Sequence, residues 1–134
     1  MRADDFAANS AARKLPFGQL PTLAHEAAVL VMPYADLPVT RAMQPLKLKE
    51  YLATGKPVVV SDLPATREWA DCLDLADTAE TFAQAVRRRL TVGLPETQEA
   101  ARARLASESW AEKARTFERW ILQEEPVPNA LCCP

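Results

Sequence analysis

The stretch Pro45-Leu46-Lys47-Leu48-Lys49-Glu50-Tyr51-Leu52-Ala53-Thr54-Gly55-Lys56-Pro57-Val58-Val59-Val60-Ser61 decides the fold. Pro45 suits a first helical position, where its missing N–H would have had no intrahelical partner. Leu48, Tyr51 and Leu52 follow at i, i+3 and i+4 and make one apolar stripe, and Gly55 falls where a left-handed residue stops a helix. Pro57 then opens a run of consecutive valines closed by Ser61-Asp62. Branched side chains without alternation suit a strand buried on both faces. A helix running straight into such a strand predicts α/β layers.

The same alternation extends both ways. Upstream, Leu20 to Ala28 has apolar residues at helical spacing with Pro21 in its first turn, and Val29 to Met32 reads as another strand buried on both faces, closed by Pro33. Tyr34 to Gln44 reads as a loop. Downstream, Leu63 to Ala70 predicts a short helix and Cys72 to Ala76 a third, weaker strand. Thr78 is the expected cap of a helix that Gly93-Leu94-Pro95 ends. Two more helices are predicted, over 96–107 and 109–123, the second with a capping box of Ser109 and Glu112 and an apolar stripe of Trp110, Ala114, Phe117, Trp120 and Ile121 that needs a surface to cover. The expected architecture is therefore a partial Rossmann-like α/β fold: a parallel sheet of about three to four strands flanked by helices, with further helices at the C-terminus. Residues 1–14 are expected to be a loose arm and 125–134 an irregular tail, leaving 15–124 as the domain. No internal repeat is expected.

Composition excludes several classes. With 134 residues the chain is one domain, and 25% charged and 7% aromatic residues are ordinary globular values. A net charge of -2 offers nucleic acid no electrostatic attraction, so no nucleic-acid partner is expected. Arg87, Arg88 and Arg89 read as a solvated helix face. There is no Gly-rich phosphate loop of either common pattern. The cysteines, Cys72 and the adjacent pair Cys132-Cys133, form no disulfide framework and point to a reducing compartment, so a cytoplasmic location is expected. No Cys/His cluster has metal spacing, and neither a metal nor another cofactor is expected.

In an open parallel sheet, ligands sit at the carboxyl ends of the strands, against helix N-termini. The helix opening after Pro45 offers free N–H groups and a partial positive charge to an anion, which holds phosphate without a glycine loop. Lys47 and Glu50, three apart, share the face opposite the apolar stripe; from spacing alone they read as a surface ion pair. Asp62, directly after the valine run, either touches a ligand or belongs to the next helix. His25, on a helix before the first strand, reads as structural, as do Met32, Met43 and the tryptophans Trp69, Trp110 and Trp120.

Taken whole, the segment from Gln44 to Val60 resembles the nucleotide-sugar-binding part of group 1, family 4-like GT-B glycosyltransferases, in the subgroup with the pattern P-x-K-x-x-E-Y-x-A-x-G-x-P-V-V. The strand ending in Pro33-Tyr34 and the Ser109-Trp110 pair near the last helix agree with it. The resemblance implies that Glu50 accepts hydrogen bonds from the ribose hydroxyls of the donor. It also implies that Pro45, Leu46 and Lys47 form the site at the donor β-phosphate, with no catalytic residue in this stretch. The partner glutamate that many members carry eight residues earlier, and that would contact the sugar ring, falls here on Ala42.

Several further expectations rest on that resemblance. The donor would be a UDP- or GDP-linked sugar, bound as substrate. The strands here would be the last three of the family's order 3-2-1-4-5-6, and Val29 to Met32 would expose an edge. That edge is expected either to pair with a second copy, giving a homodimer through 29–32, or to be covered by the N-terminal arm. The missing N-terminal half of the enzyme would be a partner, the isolated chain would be inactive, and the intact enzyme could associate peripherally with the inner membrane. A non-catalytic nucleotide-binding module and a purely structural α/β domain are the alternatives.

Overall fold

The computed structural model describes residues 16–122, and the expected arm and tail lie outside the described residues. A three-stranded parallel sheet forms its centre, with strands β1 (Leu30–Met32), β2 (Val58–Ser61) and β3 (Asp74–Ala76) in that spatial order. Leu30, Val31 and Met32 register with Val58, Val59 and Val60, and Val59, Val60 and Ser61 with Asp74, Leu75 and Ala76. The three valines have no exposed area at all, as their run predicts.

Helices surround the sheet, all but the second where the sequence places one: α1 (Leu20–Glu26), α2 (Pro38–Arg41), α3 (Leu46–Ala53), α4 (Pro64–Arg67), α5 (Ala79–Val92), α6 (Glu96–Ala101) and α7 (Trp110–Leu122). Leu48 and Leu52 of α3 meet Leu30, Met32, Val58 and Val60 in one core, which Trp69, Cys72 and Leu73 complete. Gly55 ends α3 with φ at +72°, and Thr78 caps α5 by accepting the Thr81 N–H at 3.1 Å. Ser109 accepts the Glu112 N–H at 3.2 Å at the start of α7.

Five expectations of secondary structure and burial are corrected. Strand β1 is not buried on both faces: Leu30 and Met32 are inside, whereas Val31 is 41% exposed. It lies at the end of the sheet, with no strand beyond it among the described residues, so that face alternates as an edge strand does. The loop after β1 contains α2, and the helix after β2 shrinks to α4. The helix expected over 96–107 is α-helical only to Ala101 and tightens into a 3-10 segment, Arg102–Glu108. Arg89 is not solvated; it is 7% exposed and forks both Asp74 oxygens, with Nη2 to Oδ1 at 2.7 Å. Arg88 adds a bond to Asp74 at 2.8 Å from the solvent side.

The sequence also contains a repeat. Asp36-Leu37-Pro38-Val39-Thr40-Arg41 and Asp62-Leu63-Pro64-Ala65-Thr66-Arg67 share the pattern D-L-P-x-T-R, and each follows a strand. Both fold alike. The leucine is extended (φ -125°, ψ 156° and 157°), the proline opens the helix, and the threonine hydroxyl accepts the leucine N–H at 2.9 Å. The arginine then reaches back across one turn to grip the aspartate with two bonds, at 2.5 and 2.7 Å in the first copy and 2.6 and 3.1 Å in the second.

Helix α7 carries its apolar stripe outward. Trp110 is 88% exposed, and Phe117, Trp120 and Ile121 are exposed as well, while Glu112 and Thr116 on the opposite side are half-buried. The helix thus meets its own domain through polar residues, including Lys113, which pairs with Glu108 at 3.1 Å.

Candidate functional site

Helix α3 follows directly from an extended Pro45 (φ -78°, ψ 91°), and no side chain caps it. Its first internal bond runs from the Leu48 N–H to the Pro45 carbonyl at 3.0 Å, so the amides of Leu46 and Lys47 precede the hydrogen-bond ladder. Burial of Leu48 and Leu52 fixes the helix's rotation about its axis and sends Leu46, Lys47 and Glu50 to the exposed side. Among the described residues, neither Lys47 nor Glu50 has an ion-pair partner, so the pair that spacing suggests does not form. The result is a helix start with free amides, a cation one residue into the helix and a carboxylate one turn further on. Such an array can take a phosphate at its mouth and vicinal hydroxyls at Glu50.

Asp62 stands elsewhere. It is gripped by Arg67 and lies in a cleft of about 550 Å³ at the carboxyl ends of the strands, lined among others by Tyr34, Asp36, Asp62, Arg67, Asp77 and Phe82. None of Pro45, Leu46, Lys47 and Glu50 lines it. The structure therefore brings Pro45 to Glu50 together and keeps Asp62 in a separate group with Asp36. The Arg41 guanidinium, hydrogen-bonded to Asp36, holds that carboxyl below its ordinary value. The residues that sequence reading overlooks here are Asp36, Arg41 and Arg67, and the recurrence of D-L-P-x-T-R is the signal that marks them.

The remaining candidates separate by burial. Trp69 is 4% exposed and packs under Arg104, whose guanidinium lies 4.4 Å from the ring centre. Met32 is in the core, Met43 is half-buried and His25 is exposed at the end of α1. Ala42 caps α2 through its N–H to the Pro38 carbonyl at 3.2 Å. Among the described residues no group of three His, Cys, Asp or Glu is placed to hold a metal ion, and no helix is long and apolar enough to cross a membrane.

The family model described as "Glycosyl transferases group 1" matches residues 9–91, which takes in the sheet, α3 and both D-L-P-x-T-R turns. The chain belongs to the group 1 glycosyltransferases. This group 1 glycosyltransferase chain is 56% identical over 36 residues to a protein of Bacillus subtilis (strain 168) that carries the name teichuronic acid biosynthesis glycosyltransferase TuaH. Those residues are 27% of the chain and only 9% of that relative. No solved structure matches the chain.

Proposed function

We propose that the chain is the donor-binding portion of a GT-B glycosyltransferase that moves a sugar from a UDP- or GDP-linked donor to an acceptor. The observation that carries this reading is the uncapped start of α3 with Lys47 and Glu50 on its free face. The donor diphosphate would meet the Leu46 and Lys47 amides, where the helix dipole and the Lys47 charge oppose its negative charge. Pro45 sets the approach to those amides, because it ends the chain's extended path one residue before the first helical N–H. Glu50 would accept from both ribose hydroxyls, which orients the nucleotide along the helix. Asp62, fastened to Arg67, is at most a second contact to the donor's far end.

Transfer needs an acceptor side, and on this reading a second half of the enzyme supplies it. The outward apolar stripe of α7 suits such a neighbour, since a face with Trp110, Phe117 and Ile121 in water is otherwise unfavourable. A second copy pairing along the free edge of β1 is the other association the fold permits, and sedimentation of the isolated chain distinguishes monomer from dimer.

Titration of the chain with UDP and GDP, followed by amide NMR, tests the donor site. The expected result is a set of shifts centred on residues 46–50. Glu50→Ala should weaken binding by about tenfold, the cost of a charged acceptor's hydrogen bonds. Absence of any shift there at millimolar nucleotide would rule the reading out.

A further inference from the structure

The 3-10 segment Arg102–Glu108 touches α3 at its far end and along its inner side, and leaves its N-terminus and outer face open. Arg102 is 7% exposed and has no carboxylate partner among the described residues. Its guanidinium spends its donors on backbone carbonyls instead. Nε and Nη2 bind the Cys72 carbonyl at 3.0 and 2.9 Å, and Nη1 binds the Lys56 carbonyl at 2.8 Å and the Leu52 carbonyl at 3.3 Å. One rigid fork thus joins the last turn of α3, the turn into β2 and the approach to β3. A positive charge at the C-terminal end of a helix is favourable, and the carbonyl dipoles stand in for a counter-ion. Burial pulls the guanidinium below its ordinary value without neutralising it.

The second tether is Glu108. It accepts from Lys49, the residue just before Glu50, and from Lys113 of α7 at 3.1 Å. Between the tethers, Leu105 packs against the core and Arg104 stacks on Trp69, whose ring also has the Lys49 ammonium 5.8 Å from its centre. Lys49 therefore points to the domain while its neighbours Lys47 and Glu50 face away. For the isolated job of filling a core, apolar side chains would serve at lower desolvation cost. A fork and an ion pair do something that apolar packing does less well: they fix the direction and register of one particular helix.

We propose that residues 102–108 are a brace that holds α3 in the orientation the donor requires, with Arg102 and Glu108 as positioning residues. The proposal rests on the donor-binding reading of α3. It deepens that reading, because binding by helix amides and one carboxylate depends on their common alignment, and loose support weakens all contacts together.

The test uses the whole chain and two readouts: hydrogen exchange of the hydrogen-bonded 48–53 amides, with β2 amides as internal reference, and UDP affinity by NMR. Glu108→Gln keeps the shape and removes the charge. It should speed exchange across 48–53 by about threefold, the size expected of a partly exposed ion pair, with β2 unchanged, and weaken UDP binding by a similar factor. Lys49→Glu should do the same, and Lys49→Glu with Glu108→Lys should recover part of both properties, since the swap restores the pair at position 49 but sets a cation against Lys113. Arg102→Lys keeps the charge but loses the fork, and should loosen the C-terminal end of α3 most. Should that variant fail to fold, the Glu108 and Lys49 series still decides. Unchanged exchange and unchanged affinity in Glu108→Gln and Lys49→Glu would overturn the brace, and so would faster exchange with unchanged affinity. If the wild-type chain binds neither UDP nor GDP, the donor-binding reading falls. Faster exchange in the variants with recovery in the charge swap would then keep the mechanical brace alone.

Discussion

Replacing Asp74 with asparagine should be among the most damaging single changes in this domain. Asp74 is 9% exposed and accepts from Arg89 through both oxygens, from Arg88 at 2.8 Å and from the Gln98 amide at 3.5 Å. An asparagine amide would keep the shape but leave the Arg89 charge buried without a counter-ion. Breaking a buried pair in that way costs about 3–5 kcal/mol. The Arg88 contribution is small by comparison, because that side chain is 59% exposed and returns to water. A domain of this size has about 5–15 kcal/mol to lose, so Asp74→Asn should remain folded only in part of the usual denaturant range. With a slope of about 1.5 kcal/mol per molar urea, the midpoint should fall by about 2 M or more. Removing both charges, as Asp74→Leu with Arg89→Met, should recover most of the loss, since buried pairs are often no better than apolar replacements. The pH dependence follows the same pair. Burial pushes the Asp74 carboxyl up, and the Arg89 bonds and charge with those of Arg88 more than offset this, so it lies below its ordinary value. Its stabilising contribution is then complete above the unfolded value, about 3.9, and is lost as pH falls through the lower folded value. Urea melts at pH 7 and across the acid range should show this loss in the wild type and its absence in Asp74→Asn. A midpoint within about 0.5 M of wild type at pH 7 would refute the reasoning.

The two D-L-P-x-T-R turns give a paired experiment. Thr66 is 1% exposed, so Thr66→Val strips the buried Leu63 N–H of its acceptor and should cost about 2 kcal/mol, whereas Thr40→Val, in the exposed copy where water replaces the hydroxyl, should cost under about 1 kcal/mol. Equal urea midpoints for the two variants would count against burial as the difference. Gly55→Ala should cost about 1 kcal/mol in the same assay, all of it from forcing φ +72° on a residue with a Cβ, because nothing lies within 4 Å of the added atom. A neutral result there would mean that the turn relaxes freely.

The sheet and the helices around it were legible because each is announced by local chemistry. Val58 to Val60 can be accommodated only in a covered strand, Thr78 and Gly93 bracket α5, and Gly55 closes α3. Legibility fails where the decisive neighbour is distant. Val31 is chemically indistinguishable from Val59, yet one faces water and the other does not, since exposure at a sheet's end depends on what stands next to it. Failure of a different kind affects α2: the same six-residue pattern reads as a loop at Asp36 and as a helix at Asp62, because the prolines and polar residues around the first copy hide the Leu-Pro-x-Thr helix start. Reading the two copies side by side corrects the first from the second.

The donor-site candidates show the same division. Pro45, Leu46, Lys47 and Glu50 lie within one helix and its approach, so periodicity alone puts Lys47 and Glu50 on the side opposite Leu48 and Leu52, where the structure has them. What holds that helix in place is invisible to periodicity. Arg102 answers to three carbonyls, and every residue has a carbonyl, so no pattern of side chains announces the partners. Arg89 answers to an acid fifteen residues earlier on a strand, and a run of arginines on a helix gives no hint which one turns inward. Both arginines are buried because the fold supplies their acceptors, and both become costly to lose for that reason. In this domain the candidate donor-site groups are encoded locally and their support is encoded by topology. Substitutions at Arg102 and Glu108 should therefore damage α3 while leaving intact every residue that the P-x-K-x-x-E pattern would identify.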